Sequence, residues 1–244
     1  MSEEDEEDEE EEEIEREFTW SGAMEDYLPV GPGFATYNNG DEYWGSYYDG
    51  KRNSYGRYTF MKTGANYEGN YTDNLKSGFG IFTYPDRSVY TGRNVRFAGT
   101  WYQDMRSGEG QYTYANGDIY KGQWSENKKH GVGTYFFKET GSQFIGDWEQ
   151  GFFVKGKWVF RSGDFYEGPF VKSKPEGPGK YMFFKSKSTV TGTFEKTKWT
   201  LGSTKPTPAK EILEEAMKHT PLLIPLPPPD VKSLPSYVVP MKFK

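Results

Sequence analysis

Few residues of this 244-residue chain have the types and spacing that catalysis or metal binding requires. There is no Cys, which excludes thiolate metal ligands, iron–sulfur clusters, disulfides and a Cys nucleophile, and the two His residues, His130 and His219, are far apart in sequence. Glu214 and Glu215 are adjacent, so they cannot face each other on a helix and are expected on a solvated face. Gly78-Phe-Gly80 lacks the third glycine of a dinucleotide-binding motif. We therefore expect no catalytic residue, no metal site and no cofactor.

A basic cluster precedes His130, in which Lys128 and Lys129 fall within a predicted polar loop from Ser125 to His130. The simplest interpretation is a solvated basic loop, and the alternative is a contact with anionic lipid or with an acidic segment. Interleaved basic and aromatic residues also occur in proteins that bind nucleic acids. The aromatic residues of this chain occupy repeated positions and its net charge is −6, so we do not expect nucleic-acid binding.

The composition favours β-structure with an aromatic core. Aromatic residues make up 18% of the chain and there are 29 Gly residues, whereas Leu, Ile and Val are few. Gly is a poor helix former, which argues against a helical bundle, and buried parallel strands need more Val, Ile and Leu than this chain contains.

Acidic residues are concentrated at the N-terminus, where residues 1–17 contain thirteen Asp and Glu and one Arg. Such a segment cannot bury apolar surface, so we expect residues 1–17 to form a disordered tail. No stretch resembles a signal peptide and no run of about 18 apolar residues could span a bilayer, so we expect a cytoplasmic protein with no membrane span.

A motif of the form aromatic-x-Gly-x-aromatic recurs along the chain. Its copies start at residues 20, 43, 67, 90, 120, 144, 166 and 190, and the one long interval is explained by a seven-residue duplication at 90–96. The positions that we assign to the structural core of the repeat are Tyr43, Gly45, Tyr67, Gly69, Gly99, Trp101, Tyr120, Gly122, Trp124, Gly146, Trp148, Tyr166 and Gly168.

A Gly-x-Gly motif follows most of these starts, as at Gly131 and Gly133, and a turn dipeptide such as Asn116-Gly117 closes the repeat. The period of two within each motif predicts a β-hairpin whose aromatic rings lie over the bare glycine backbone of neighbouring strands. A lone hairpin is marginally stable in water, so the hairpins must pair with one another. We predict an all-β fold, in which residues 18–199 form an elongated single-layer antiparallel sheet of seven to eight tandem hairpins.

This repeated pattern of aromatic residues and glycines resembles the MORN repeat (membrane occupation and recognition nexus) over residues 20–199. It departs from that repeat at the extra residues 90–96 and at Ser54 and Val154, where a glycine is replaced. Within that family the stretches 139–148, 166–170 and 175–181 look like the members found in the radial spoke head of the axoneme. The resemblance implies a non-enzymatic scaffold of motile cilia and flagella. It also implies a location in the cytoskeleton and partners among other spoke-head and stalk proteins, with a second copy across a two-fold axis as a further option.

Residues 200–244 break the repeat and are rich in Pro, so we predict a C-terminal arm with a short helix at 208–219 and a Pro-rich segment. The arm is too short to form its own core and must dock either on its own sheet or on a neighbouring subunit. The residues predicted to make that protein contact are Ile212, Leu213, Met217, Leu222 and Leu223.

Two other functions are consistent with a MORN-like array. One is a peripheral membrane or cytoskeletal scaffold that binds anionic phospholipid, although the acidic tail argues against a membrane role. The other is a targeting module attached to an enzyme domain. Residues 200–244 are too short to form such a catalytic domain.

Overall fold

The computed structural model describes residues 17–85, 95–208, 210, 211 and 214, and it contains one 17-stranded antiparallel sheet. The strands of the N-terminal half are β1 Phe18–Glu25, β2 Leu28–Tyr37, β3 Glu42–Tyr48, β4 Lys51–Phe60, β5 Ala65–Thr72, β6 Leu75–Tyr84, β7 Val95–Tyr102 and β8 Met105–Thr113. The strands of the C-terminal half are β9 Ile119–Ser125, β10 Lys128–Phe136, β11 Gln143–Glu149, β12 Phe152–Val159, β13 Phe165–Val171, β14 Lys174–Pro175, β15 Gly177–Phe183, β16 Ser188–Glu195 and β17 Lys198–Pro206.

The strands form a meander in which each pairs with the next along the chain, and the two-residue β14 extends the pairing of β13 before β15 takes over. Within the described residues β1 and β17 each have a partner strand on one side only, so the sheet is open. Eight successive hairpins result. This architecture confirms the predicted all-β, single-layer antiparallel sheet of tandem hairpins.

The hairpins close through very short turns whose residues have left-handed backbone conformations. Glu126 and Asn127 join β9 to β10 with φ angles of 49° and 67°, which is the combination that matches the twist of a hairpin. The predicted polar loop from Ser125 to His130 is therefore wrong, because Ser125 ends one strand and Lys128 begins the next. Asn tolerates the left-handed region, so two residues close this turn without a glycine.

Longer connections between hairpins are tied by buried aspartates. Asp118 accepts hydrogen bonds from the Tyr135 hydroxyl at 2.8 Å and from the backbone N–H of Lys138 at 2.9 Å. Asp41 makes the equivalent bonds three hairpins earlier, and the half-buried Asp164 accepts from the backbone N–H of Phe184 in the next turn at 2.9 Å. Each of these carboxylates thus fixes the end of one hairpin against the following one.

Aromatic rings lie over paired glycines on one face of the sheet, which we call the ring face. Gly69 and Gly80 are directly opposite each other on β5 and β6. A Cβ at Gly69 would lie 2.5 Å from the Tyr67 hydroxyl and 2.5 Å from the Gly80 Cα, so only hydrogen fits beneath the ring. The Tyr67 hydroxyl donates to the Asn70 carbonyl at 3.0 Å, which anchors the ring across the glycines.

The main core of the protein consists of these rings, and Val159, Phe165 and Met182 form a smaller, separate buried cluster. Most of the aromatic residues that start a repeat make an edge-to-face contact with an aromatic residue of the next hairpin, as between Tyr67 and Trp101 and between Tyr120 and Trp148, with centroids 5.5 and 5.2 Å apart. Such contacts are favoured by the ring quadrupole. The fully buried large side chains are Tyr43, Tyr67, Phe97, Tyr120, Phe153, Phe165, Tyr166 and Met182.

The C-terminal end of the sheet extends beyond the predicted boundary at residue 199. Strand β17 continues to Pro206, because Val190, Thr189 and Ser188 of β16 remain available to pair with it. Of the predicted helix 208–219, the structure describes Lys210, Glu211 and Glu214 as helical, and most of the remainder lies outside the described residues. The acidic tail at residues 1–16 and the duplicated segment at 90–94 also lie outside them.

Replacing Gly69 by Ala is expected to destabilise the sheet by about 1–3 kcal/mol, because the added methyl group meets backbone that cannot move. Chemical denaturation measures the loss. The control is Gly31→Asn, since Gly31 has a left-handed φ of 66° that Asn tolerates and a Cβ there meets no atom within 4 Å. Equal destabilisation by both variants would show that ring packing does not impose the glycine.

Alkaline pH is expected to unfold the sheet cooperatively. Burial raises the pKa of Tyr114 and of Tyr166 to about 12, and it raises the pKa of Tyr120 further. Tyrosines of the unfolded chain ionise near pH 10, so the free energy of unfolding falls as the pH rises from about 10 through the folded values. Tyrosinate absorbance of the buried rings should appear together with loss of the far-ultraviolet circular dichroism. A gradual rise in absorbance over a folded protein would contradict this assignment.

Candidate binding site

Four consecutive hairpins place a cation at the same position on the ring face. The position is the second residue of the returning strand, and it is occupied by Arg52, Lys76, Arg106 and Lys129. Each cation lies directly opposite an aromatic residue of its own hairpin, as Arg106 lies opposite Trp101 and Lys129 opposite Trp124. The aliphatic stems can pack along the rings while the charged ends contact ring faces.

The arginines of this row are held by rings and by the next hairpin turn. The Arg106 guanidinium carbon lies 4.6 Å from the Trp124 ring centroid, within cation–π range. Asn127 Oδ1 accepts from the Arg106 backbone N–H at 2.9 Å, and its carbonyl oxygen accepts from Arg106 Nη2 at 2.9 Å. Arg52 is bonded in the same way to Asn74. The turn thus supplies an oxygen acceptor to the cation of the preceding hairpin.

The two lysines at this position differ in whether the turn of the next hairpin supplies a partner for the ammonium group. Lys76 Nζ forms an ion pair with Asp104 Oδ1 at 2.7 Å, and Asp104 occupies the same turn position as Asn74 and Asn127. For Lys129 that position is Gly151, which has no side chain. Gly151 keeps only its backbone bond to the Lys129 carbonyl, at 2.9 Å. Lys129 Nζ therefore has no hydrogen-bond acceptor or ion-pair partner among the described residues.

Aromatic rings surround the Lys129 ammonium instead. Its Nζ lies 4.5 Å from the Trp148 centroid and 4.7 Å from the Tyr135 centroid, with the Tyr120 and Tyr114 rings slightly further away. Burial lowers the pKa of Lys129 to about 8. A Lys of the unfolded chain titrates near 10.4, so the cost of burying this charge is present below pH 8 and is relieved as the pH rises between about 8 and 10.4.

The next hairpin, formed by β11 and β12, has an aromatic residue instead of a cation at this position. Phe153 takes the place of the cation, is fully buried and stacks on Phe144 with centroids 4.7 Å apart and planes 5° apart. Phe153 rather than Phe144 covers Gly156. Ser142 stands where Asp118 and Asp164 bind the next turn in other hairpins. The short side chain of Ser142, and the replacement of Phe144 by Phe153 as the ring over Gly156, leave space beside Lys129.

That space is a solvent-open cavity of about 460 Å³, which we call the Lys129 cavity. Its walls are mainly aromatic, with Tyr135, Phe144 and Trp158 among them. Hydroxyls supply the polar part: Thr140 and Ser142 bond to each other at 2.6 Å, and the Ser173 hydroxyl accepts from the Phe153 backbone N–H at 3.0 Å. A cavity with one cation, hydroxyl donors and aromatic walls can bind a ligand in which an anionic group is attached to an apolar group.

The sequence-predicted residues fall into two groups. The repeat positions, from Tyr43 and Gly45 to Tyr166 and Gly168, all lie within the strands, and Trp101, Trp124 and Trp148 are almost fully buried on the ring face. The predicted protein-contact residues Ile212, Leu213, Met217, Leu222 and Leu223 lie outside the described residues.

Sequence reasoning missed Lys129, which lies within β10 among rings rather than in a solvated loop. The signal was present, since Gly151 breaks the series Asn74, Asp104 and Asn127 at the equivalent turn position, and Phe153 breaks the series of cations. Aligning these positions across hairpins would have marked this hairpin as exceptional.

Among the described residues, no group of three or more His, Asp or Glu side chains is arranged to hold a metal ion. In the same part of the chain, no helix has the length and apolar character needed to cross a membrane.

Comparison with known families agrees with the repeat architecture. The MORN repeat family model matches six segments, which together cover just over half of the chain: residues 43–62, 67–89, 97–119, 120–139, 144–165 and 166–185. The last two matches include β11 to β13 and therefore the hairpin that forms the Lys129 cavity. No curated protein matches the chain.

Replacing Asn127 by Gly and replacing Gly151 by Asn are expected to change the free energy of unfolding in opposite directions. Asn127→Gly keeps the left-handed backbone but removes the side-chain oxygen that accepts from the Arg106 backbone N–H and Nε, and is expected to cost about 0.5–1.5 kcal/mol. Gly151→Asn adds an acceptor beside Lys129 where a Cβ meets no atom within 4 Å; the left-handed φ of 90° is one that Asn tolerates better than most residues, as at Asn74 and Asn127, and the net gain is expected to be up to about 1 kcal/mol. Urea unfolding midpoints compare the two. A loss of stability in both variants would contradict the assigned role of this turn residue.

Proposed function

Because this chain belongs to the MORN repeat family, we propose that it is a structural subunit of the axonemal radial spoke head, the counterpart of radial spoke head protein 1. In this role it is a non-catalytic scaffold that holds other spoke-head and stalk proteins and supports the regulation of ciliary beating. Its proposed location is the cytoskeleton of motile cilia and flagella. A second copy of the chain across a two-fold axis is a further proposed partner.

The observation that carries the scaffold role is the continuity of the sheet. Eight hairpins are joined by ladder hydrogen bonds, by edge-to-face rings and by turn contacts such as the bond from Asn127 to the Arg106 carbonyl at 3.1 Å. Each hairpin is held mainly by its neighbours, as in other repeat proteins, which gives an extended surface rather than an enclosed pocket.

The face opposite the rings offers contact area of its own. Trp44, Phe79 and Val132 alternate with ring-face positions along their strands, so they point to this opposite face, and each is about half exposed or more. Single exposed apolar side chains on a polar surface are normal, and these three provide apolar contact points for a subunit that is covered in an assembly.

The spoke-head assignment within the family is supported by the sequence stretches 139–148, 166–170 and 175–181. They include β11, most of β13 and part of β15, and so belong to the irregular C-terminal half of the sheet. In this proposal the C-terminal arm, with Ile212, Leu213, Met217, Leu222 and Leu223, contacts a neighbouring subunit.

The alternative function, a scaffold on anionic phospholipid, has less support from the surface. A membrane-binding patch needs ammonium groups free to reach headgroups. Among the ring-face lysines Lys76 is paired with Asp104, which leaves the single ammonium of Lys129 among the rings of Trp148 and Tyr135 rather than a cluster of free ammonium groups. Sedimentation with phosphatidylserine vesicles, with and without residues 2–16, tests this alternative, and strong salt-sensitive binding would favour it.

The spoke-head role is tested by removing the chain from a motile ciliated cell that expresses it and imaging the axoneme by cryo-electron tomography. Loss of density from the spoke heads and impaired motility are expected. Re-expression of the Gly31→Asn variant should restore the heads, whereas the Gly69→Ala variant should restore them poorly because its sheet is destabilised. Intact heads and normal beating in the deleted cells would refute the proposal.

A further inference from the structure

The Lys129 ammonium lacks a partner because of one residue. In two of the three preceding hairpins a side-chain oxygen of the turn residue contacts the charged group: Asp104 Oδ1 pairs with Lys76 Nζ at 2.7 Å, and Asn127 Oδ1 accepts from Arg106 Nε at 3.3 Å. Gly151 removes that oxygen while its backbone keeps the same bond to the preceding strand. The hairpin is therefore intact, and the missing group is specifically an acceptor for Lys129.

The surroundings of Lys129 favour a negative group from outside the chain. Its ammonium contacts ring faces, which stabilise a cation but cannot replace the hydrogen bonds of water. The Asp118 carboxylate, which shares the Tyr135 side chain with this site, is already engaged by the Tyr135 hydroxyl and by the Lys138 N–H. Lys128 is exposed and donates to Gln150, so it does not compete for this position.

The Lys129 cavity also restricts the chemistry of the occupant. One cation suits a group with one negative charge, such as a carboxylate, better than a doubly charged phosphate. The aromatic walls of Tyr135, Phe144 and Trp158 suit an apolar group attached to that carboxylate. A cavity of about 460 Å³ accommodates an acidic side chain together with a neighbouring large apolar one.

We propose that the Lys129 cavity is a docking site for an acidic side chain of a partner protein that is flanked by a large apolar side chain, with Lys129 as the ion-pair partner. The proposal rests on the proposed role of the chain as a protein-binding scaffold and names a contact that this role uses. It does not depend on the partner being a spoke protein. The carboxylate would occupy the place that Asp104 takes beside Lys76.

The test uses small probes and the full-length chain at pH 7, so it is independent of any ciliary assay. Phenylpropionate supplies a carboxylate on an aromatic group, phenylpropionamide is its neutral isostere, and phenyl phosphate carries the alternative anion. Binding is measured by titration in heteronuclear NMR, with the Trp148 and Trp158 indole signals as reporters of the cavity. Phenylpropionate is expected to bind about tenfold or more tightly than the amide.

Lys129→Met keeps the stem and removes the charge, and is expected to weaken phenylpropionate binding about tenfold or more. The matched control is Lys76→Met, which changes the equivalent but already paired cation and should leave binding unchanged. Gly151→Asp is the second test, since it supplies an internal carboxylate at a position where a Cβ meets no atom within 4 Å. It should abolish binding in a folded protein, so the proposal stays testable even where Lys129→Met fails to fold.

Several results would overturn the proposal. These are equal binding of phenylpropionate by wild type and Gly151→Asp, equal binding of the acid and the amide, and tighter binding of phenyl phosphate than of phenylpropionate. Deleting residues 2–16 tests the chain's own acidic tail as occupant. A shift of the indole signals on that deletion without added probe would assign the cavity to the tail instead of a partner. A spoke-head role disproved in cells would leave the probe results unaffected.

Discussion

The contact between one aromatic ring and two glycines on adjacent strands is the interaction on which this structure depends. Tyr67 lies over Gly69 and Gly80, and the absence of both Cβ atoms brings the ring against bare backbone. A single-layer sheet has no second layer to bury its apolar face, so the rings themselves must supply the covering. This requirement explains why the chain is rich in aromatic residues and glycine and poor in aliphatic ones.

The packing of rings over glycines also limits which side chains fit at the other positions of the ring face. Once rings occupy one face, a cation with a long stem can lie among them, provided that a turn oxygen completes its hydrogen bonds, as Asn127 does for Arg106. Asp118 and its counterparts fix the opposite ends of the hairpins. Local substitutions are tolerated because each hairpin contacts mainly its neighbours, so a change such as Gly151 alters one site without disturbing the sheet.

This separation of regular support from local variation suits a protein that binds other proteins. The regular hairpins hold the surface in place, and the hairpin of Phe144 and Phe153 provides a distinct feature, with a stacked ring pair and the Lys129 cavity beside it. An array of identical repeats would offer the same surface at every register. An irregular repeat gives a partner one defined position along the sheet.

The hairpins, their order and the ring face could be predicted from the sequence, because the spacing of rings and glycines within each repeat is a local property with a period of two. The sequence also showed the glycine at position 151, but not what that glycine leaves unpaired. The two-residue turn at Glu126 and Asn127, and with it the place of Lys129 in a strand, follows from left-handed backbone that non-glycine residues adopt. That Lys129 faces four rings and an open cavity is visible only in the folded sheet, because its own hairpin, the preceding connection and the turn of the next hairpin, 22 residues away, all contribute to its surroundings.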